Sequence, residues 1–360
     1  MNPLQEKIAA WLSRAGPERS LNQCFDLPIV LATDIGLQRS ENQDRVAALR
    51  ISAKASGGRP LIAIAVVDGM GGMRDGGKCA TLALSSFFYA LTLYRGHDLQ
   101  RRANAAISYA NDEVFKFAGG KGGATLSSVL LDHDLRPFIV NLGDSRVYAF
   151  GGGTKVERLT RDDSLAEAVG GHGRELLQFV GMGEGMQPHV QAVATGIHNL
   201  AITTDGIHFV EASTLESILS HTTELKSASE RLAALARWCG GPDNATSAMV
   251  GLQSLLGEIR KGNHDGIELW DPSGSLTPIW IRADVQSADR GVVIAPTSPQ
   301  PIAVPPANSS PDPQQERAKA KSASKKSKKT QKPVAPKEDI QLEIQIERSS
   351  NPDETDENNR

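Results

Sequence analysis

Apolar runs along this chain are cut by short, glycine-rich and acidic breaks. The densest run, Leu61 to Val67, contains no polar side chain. That pattern predicts a strand buried on both faces. It stops at Asp68, and Gly69, Gly71 and Gly72 follow around Met70. A rigid strand end followed by a permissive loop presents a charged group to a cleft. Other runs also meet an aspartate. Phe138 to Leu142 leads through Gly143 to Asp144, and Leu200 to Thr204 leads to Asp205-Gly206. Asp243-Asn244 precedes a strand over Ser247 to Leu252, and Asp44 precedes Arg45 to Leu49. Further strands are predicted over Leu27 to Ala32, Ala124 to Leu131, Ser145 to Phe150 and Val156 to Leu159.

Between these runs the period changes to that of a helix. Cys79, Leu82, Ser86 and Ala90 recur at three or four within Asp75 to Leu93, and Ala103, Ala106, Ile107, Ala110 and Val114 recur within Leu99 to Phe117. Ser164 is placed to cap a short helix over Leu165 to Val169. A helix-rich stretch runs from Leu215 through Trp238, with Cys239 expected to pack beside it. Many short strands and two long helices predict two stacked sheets between helical layers. At the N-terminus, Leu4, Ile8, Trp11 and Leu12 predict an amphipathic helix, so residues 1–26 read as a helical extension. The Gly119 to Gly123 cluster lacks the spacing of a nucleotide-binding loop and reads as a turn. His189 and His198 have no partner at ligand spacing and read as ordinary histidines.

Composition narrows the function. With 360 residues and a net charge of -3, the chain as a whole gives no broad nucleic-acid or membrane signal. Cys24, Cys79 and Cys239 are widely spaced and make no metal pattern, which fits a reducing compartment. No run approaches membrane-spanning length, and no leader pattern opens the chain, so a cytoplasmic protein is expected. Carboxylates at several strand ends suit hard cations, which take oxygen ligands.

The ordered motifs RSENQD (Arg39 to Asp44), DGMGG (Asp68 to Gly72), GDSR (Gly143 to Arg146), TDG (Thr204 to Gly206) and DN (Asp243-Asn244) resemble the PP2C family of metal-dependent serine/threonine protein phosphatases, in its bacterial form. The resemblance spans Ala32 to about Leu252, within a phosphatase domain of residues 27–252. It implies an α+β fold, a four-layer α/β/β/α sandwich with two mainly antiparallel sheets. It implies two Mn2+ or Mg2+ ions, with Asp68 bridging both, the Gly69 carbonyl on one, and Asp205 and Asp243 on the other. Asp144 and Asp205 match a third, weaker position. The family's chemistry is direct attack of a dimetal-bound water on a phosphoserine or phosphothreonine. Asp44 would help hold that water, and Arg39 would hold the substrate phosphate. Phosphoprotein substrates follow, with a paired serine/threonine kinase or its targets as partners. The chain departs from the family at Gln43, where a second acidic residue is usual, and at Asp163, where histidine is common. The segment before the TDG strand is short, which implies a reduced flap and leaves specificity open.

Beyond Leu252 the resemblance ends. Within residues 253–295, Ile267 to Trp270 and Thr277 to Ile281 flank Asp271-Pro272-Ser273-Gly274 and predict a hairpin. Residues 296–360 are rich in proline, then lysine, then acid, and predict disorder. Within them Ile340 to Glu347 alternates apolar and polar residues, a candidate docking strand for a protein partner. Two other functions stand beside the enzyme. A catalytically weak phosphoprotein-binding scaffold would need a broken carboxylate set. A nucleic-acid-associated protein would use the lysine block, which has no interleaved aromatics to stack on bases.

Overall fold

The computed structural model describes residues 2–277, apart from 54, 56–58, 71–74, 172, 174 and 260–265. The candidate docking strand at 340–347 lies outside them, as does the rest of residues 278–360. One unit, Met1–Pro296, holds everything described below.

Two antiparallel sheets form its centre. One runs in the order β1 (Arg19–Gln23), β2 (Ile29–Asp34), β11 (Ala245–Val250), β10 (Asn199–Thr203), β7 (Arg146–Phe150) and β8 (Glu157–Arg158). The other runs β13 (Gly274–Leu276), β12 (Ile267–Asp271), β3 (Arg45–Ile51), β4 (Leu61–Val67), β5 (Leu126–Asp132), β6 (Phe138–Leu142) and β9 (His189–Ala192). The seven residues of β4 are all buried, as the unbroken apolar run requires. Side chains alternate across a strand, so one face of β4 (Leu61, Ala63, Ala65, Val67) meets helices. The other face (Ile62, Ile64, Val66) meets the second sheet through Ile29, Leu31, Leu200, Ile202 and Ala248.

The helices α1 (Pro3–Leu12), α2 (Gly76–Leu93) and α3 (Leu99–Ala118) cover the sheet that contains β4. On the other sheet, α5 (Asp205–His208), α6 (Ala212–Ser220) and α7 (Leu225–Trp238) pack against Val30, Ala201 and Met249. The result is the α/β/β/α sandwich expected from the motifs. Two short helices, α4 (Leu165–Val169) and α8 (Leu252–Glu258), are the other helices among the described residues, and Ser164 Oγ caps α4 by accepting from the Glu167 amide.

Three local expectations differ from the structure. Residues 1–26 contain a strand as well as a helix. β1 has a single apolar residue, Leu21, and its half-exposed edge position leaves no alternation to read. The predicted hairpin closes earlier, with Gly274 to Leu276 returning against Leu269 to Asp271, and residues 278–281 lie outside the described set. β12 also pairs with β3, so this segment extends the sheet. Cys239 is exposed and Trp238 is 86% exposed. The buried face of α7 ends at Ala236, and the last turn rotates Trp238 outward. β9 and α8 had no clear pattern in the sequence.

Candidate active site

The strand-end aspartates converge. A cleft of ≈ 240 Å³ is lined by Arg39, Gln43, Asp68, Gly69, Met70, Thr125, Asp144, Glu175, Leu176, Asp205 and Asp243. Of the residues picked from sequence, all but Asp44 line it; Asp44 lies buried behind it, 4% exposed.

Backbone pairing fixes the floor. Asp68 leaves β4, its amide donating to Thr125 Oγ1 at 3.0 Å while the Thr125 amide donates to the Asp68 carbonyl at 2.8 Å. Gly69 then bridges to Ala124. A Cβ on Gly69 would lie 2.4 Å from the Gly76 carbonyl oxygen and 2.8 Å from that of Gln43, so this passage admits glycine alone. Gly206 is tighter, its Cβ position lying 2.0 Å from the Asn244 carbonyl oxygen. That approach brings Asp205, at the start of α5, against the β11 entry that carries Asp243.

Asparagines organise the loop bearing Arg39. Asn244 Nδ2 donates to the carbonyls of Ile35 at 2.9 Å and Glu41 at 3.0 Å, and its Oδ1 accepts from the Gln43 amide at 2.8 Å. Asn42 Oδ1 accepts from the Asp44 amide at 3.1 Å. The motifs contained both residues, but their bracing of the loop needed three-dimensional pairing to be seen. Glu175 and Leu176 were missed as cleft residues. They precede any strand signal and carry no motif.

Electrostatics mark the floor. Burial pushes the Asp44 carboxyl up to about 8, against the hydroxyls of Thr246 and Thr204 and with added repulsion from Asp205. Thr204 Oγ1 donates to Asp44 Oδ2 at 3.0 Å, whereas buried Asp44 Oδ1 has no hydrogen-bond partner among the described residues. Asp68 is raised well above the carboxylate range by burial and then by repulsion from Asp44, Asp205, Asp144 and Asp243. Burial and Asp205 bring Asp144 up to about 7. Arg39 Nη2 donates to Asp243 Oδ2 at 2.6 Å, and this bond raises the guanidinium further.

Crowded carboxylates that repel one another are what a divalent cation relieves, and the donor set is all oxygen. The orphaned Asp44 Oδ1 also fits, as a buried acceptor with no partner among the described residues. These residues fit Mn2+ or Mg2+. A tighter cluster, Asp132, His133 and Asp134, has ligand atoms within 4.8 Å of one another but sits on the β5–β6 turn with His133 and Asp134 exposed. It is distinct from the cleft.

With the geometry in place, comparison identifies the class. The sequence profile of the protein phosphatase 2C family matches residues 38–240, more than half the chain. The chain belongs to that family. Protein phosphatase PhpP of Streptococcus pneumoniae is 26% identical over 252 residues, covering 63% of this chain and 98% of PhpP. Serine/threonine protein phosphatase PstP of Mycobacterium tuberculosis is 26% identical over 265 residues, covering 66% of this chain and 49% of PstP. Among solved structures, the PPM Ser-Thr phosphatase MsPP of Mycobacterium smegmatis, in complex with cacodylate, superposes with a TM-score of 0.52 at 25% identity, covering 62% of this chain and 97% of MsPP. No helix among the described residues is long and apolar enough to cross a membrane.

Proposed function

We propose that this chain hydrolyses phosphoserine and phosphothreonine in proteins, with Mn2+ or Mg2+ as cofactor. The observation that carries this reading is the convergence of Asp68, Asp144, Asp205 and Asp243 on one cleft with Arg39, and Asp44 immediately behind. Asp68, the Gly69 carbonyl, Asp205 and Asp243 would hold two ions, and Asp144 with Asp205 a third, weaker one. Bound divalent cations supply charge neutralisation on phosphoryl oxygens and a lowered pKa for water.

The protein's own groups do the rest. Asp44 Oδ1 would accept a hydrogen bond from the attacking water and so help to hold it. Arg39 lies in the same cleft, and its planar fork matches two phosphate oxygens. Its Nη2 also donates to Asp243 Oδ2 at 2.6 Å, which holds the guanidinium at the cleft. Met70 lines the cleft but holds no proton, so the leaving alkoxide must take one from water. The hard oxygen donors favour Mn2+ and Mg2+ over softer metals. Relatives named as protein phosphatases support phosphoproteins as the substrate class, and a paired serine/threonine kinase or its targets would be the partners. Cys24, Cys79 and Cys239 form no disulfide with one another, which supports the cytoplasm as the compartment. The proposed folded unit includes α1, β1 and β12 along with residues 27–252.

The test is phosphate release from phosphoserine, phosphothreonine and phosphotyrosine peptides, with Mn2+ and with chelator. The reading requires release from the first two, only with metal. Equal release in chelator, with metal absence verified, overturns it.

A further inference from the structure

One side of the cleft is built differently from its floor. Glu175 and Leu176 form a wall, and Glu175 is exposed. Asp163, 8% exposed, ties this wall to the turn that carries Asp144. Its Oδ2 accepts from the Gly143 amide at 3.0 Å, and its own amide donates to the Gly143 carbonyl at 2.9 Å. On the other side, its carbonyl accepts from the Leu177 amide at 2.7 Å, and its Oδ1 accepts from Gln178 Nε2 at 3.0 Å. His189 Nε2, on β9, stands 2.9 Å from the same Oδ1. The pairing extends as a short ladder: Ser164 bridges to Leu176, and the Leu165 amide donates to the Glu175 carbonyl at 2.9 Å. Gln178 Oε1 is engaged in turn by the Gln187 amide at 2.8 Å. Three segments distant in sequence thus meet on one carboxylate.

We propose that Asp163 is a positioning residue: it locks the Glu175–Gln178 wall against the Gly143–Asp144 turn, and the locked wall sets the affinity for phosphopeptide. The locking stands on geometry alone; the link to phosphopeptide rests on the phosphatase reading above. A carboxylate can do this because both of its oxygens only accept. It therefore suits the Gly143 N–H on one side and the Gln178 and His189 N–H groups on the other. An amide of the same shape cannot, because its NH2 must face a donor on one side or the other. With that bond broken, the wall keeps its backbone ties at Glu175, Leu177 and Val180 but loses the side-chain one at Gln178.

Asp163→Asn in the full chain therefore separates positioning from bulk. The amide hydrogen of Leu177 should exchange roughly tenfold faster while the thermal midpoint stays within a few degrees. The KM for a phosphothreonine peptide should rise about tenfold with kcat within about threefold, the size of effect seen for groups that orient a site from outside it. The double variant Asp163→Asn with Gln178→Glu should recover most of both changes, since the introduced carboxylate can accept from the new amide and still accept from Gln187. If Asp163→Asn fails to fold, Gln178→Ala removes the wall-side donor, together with the acceptor for the Gln187 amide, and carries the same two measurements. Unchanged Leu177 exchange, or a KM unmoved while exchange quickens, overturns the proposal. So does a double variant no better than the single one. Exchange is measured without metal or substrate. An inactive wild-type protein therefore defeats the phosphatase reading while leaving the locking of the wall decided on its own data.

Discussion

The floor and the wall of the cleft are held by different physics. The floor is backbone against backbone. Gly69 and Gly206 let main chains approach within distances that no side chain tolerates, and Asp68 extends from a strand buried on both faces, with Asp44 at the start of its neighbour. The wall has no such packing. Leu177 is 48% exposed, and the segment is held by a short ladder and by a few hydrogen bonds that end on one aspartate. The floor sets where charges stand and gives little when disturbed. The wall is the more adjustable part.

The largest effect is expected in the floor. Asp205→Asn or Asp243→Asn removes a negative charge from the proposed cation site. Phosphate release from a phosphothreonine peptide should fall about a hundredfold or more, the scale on which preorganised charge contributes. Calorimetric Mn2+ titration should weaken in parallel. Retained metal affinity and activity in both variants would remove these residues from the site. A second floor test is steric. In Gly206→Ala the new Cβ meets the Asn244 carbonyl oxygen, which is backbone and cannot swing aside. Overpacking of this kind costs about 1–3 kcal/mol. Leu177→Ala in the wall should stay within about 0.5 kcal/mol, as exposed changes usually do. Urea unfolding of the two variants compares them directly, and equal midpoints would dissolve the distinction between floor and wall.

That distinction also explains what could be read from the chain. The floor was legible because its parts are local: an apolar run, then Asp68; another, then Asp205. Burial on both faces erases alternation and leaves an unmistakable run, and the terminal carboxylate needs no partner to be noticed. Even the layer order follows once β4 is seen to bury both faces. The wall was illegible because its meaning is relational. Asp163 looked like a departure from a common histidine, and His189 looked like an ordinary histidine. Only folding brings them to 2.9 Å. Glu175 has no periodic neighbour at all. The same reasoning covers the ends of the chain. β1 was missed because an edge strand need not alternate, and Cys239 was misplaced because a helical period read from sequence does not say where the turn rotates into solvent.

A smaller effect belongs to the boundary between floor and wall, where Arg39 faces both. In Arg39→Ala the KM for phosphopeptide should rise about tenfold, the loss of one charge-assisted contact to the phosphate. Metal content should be unchanged or slightly higher, because Asp243 loses its bond to the guanidinium. A drop in Mn2+ affinity would instead mean that Arg39 supports the cation site.

The smallest effect lies beneath the floor and is read against pH. His208, on α5 just past Asp205, is 8% exposed, with Nδ1 2.9 Å from Thr203 Oγ1. Burial pushes its pKa well below the ordinary 6.5, and Arg146 and Arg158 add to the push. The folded chain therefore keeps His208 neutral while the unfolded chain takes up a proton as pH falls through 6.5. The unfolded state binds more protons there, so stability contributed by His208 is present above pH 6.5 and is lost progressively below it, toward the lowered folded value. The floor carboxylates act in the opposite sense. Asp44, raised to about 8, and Asp144, raised to about 7, favour the metal-free fold as pH drops from those values toward the ordinary carboxylate range. A single stability curve would mix the two. The difference between wild type and His208→Gln removes the carboxylates, which both proteins share, and glutamine can still bond to Thr203. That difference, taken from urea unfolding at intervals from about pH 8 to about pH 5 in chelator, should be flat above about pH 7 and should turn against the wild type below about pH 6.5. A difference that stays flat down to about pH 5 would mean that His208 titrates alike in both states and that the ground under Asp205 is wetter than its burial implies.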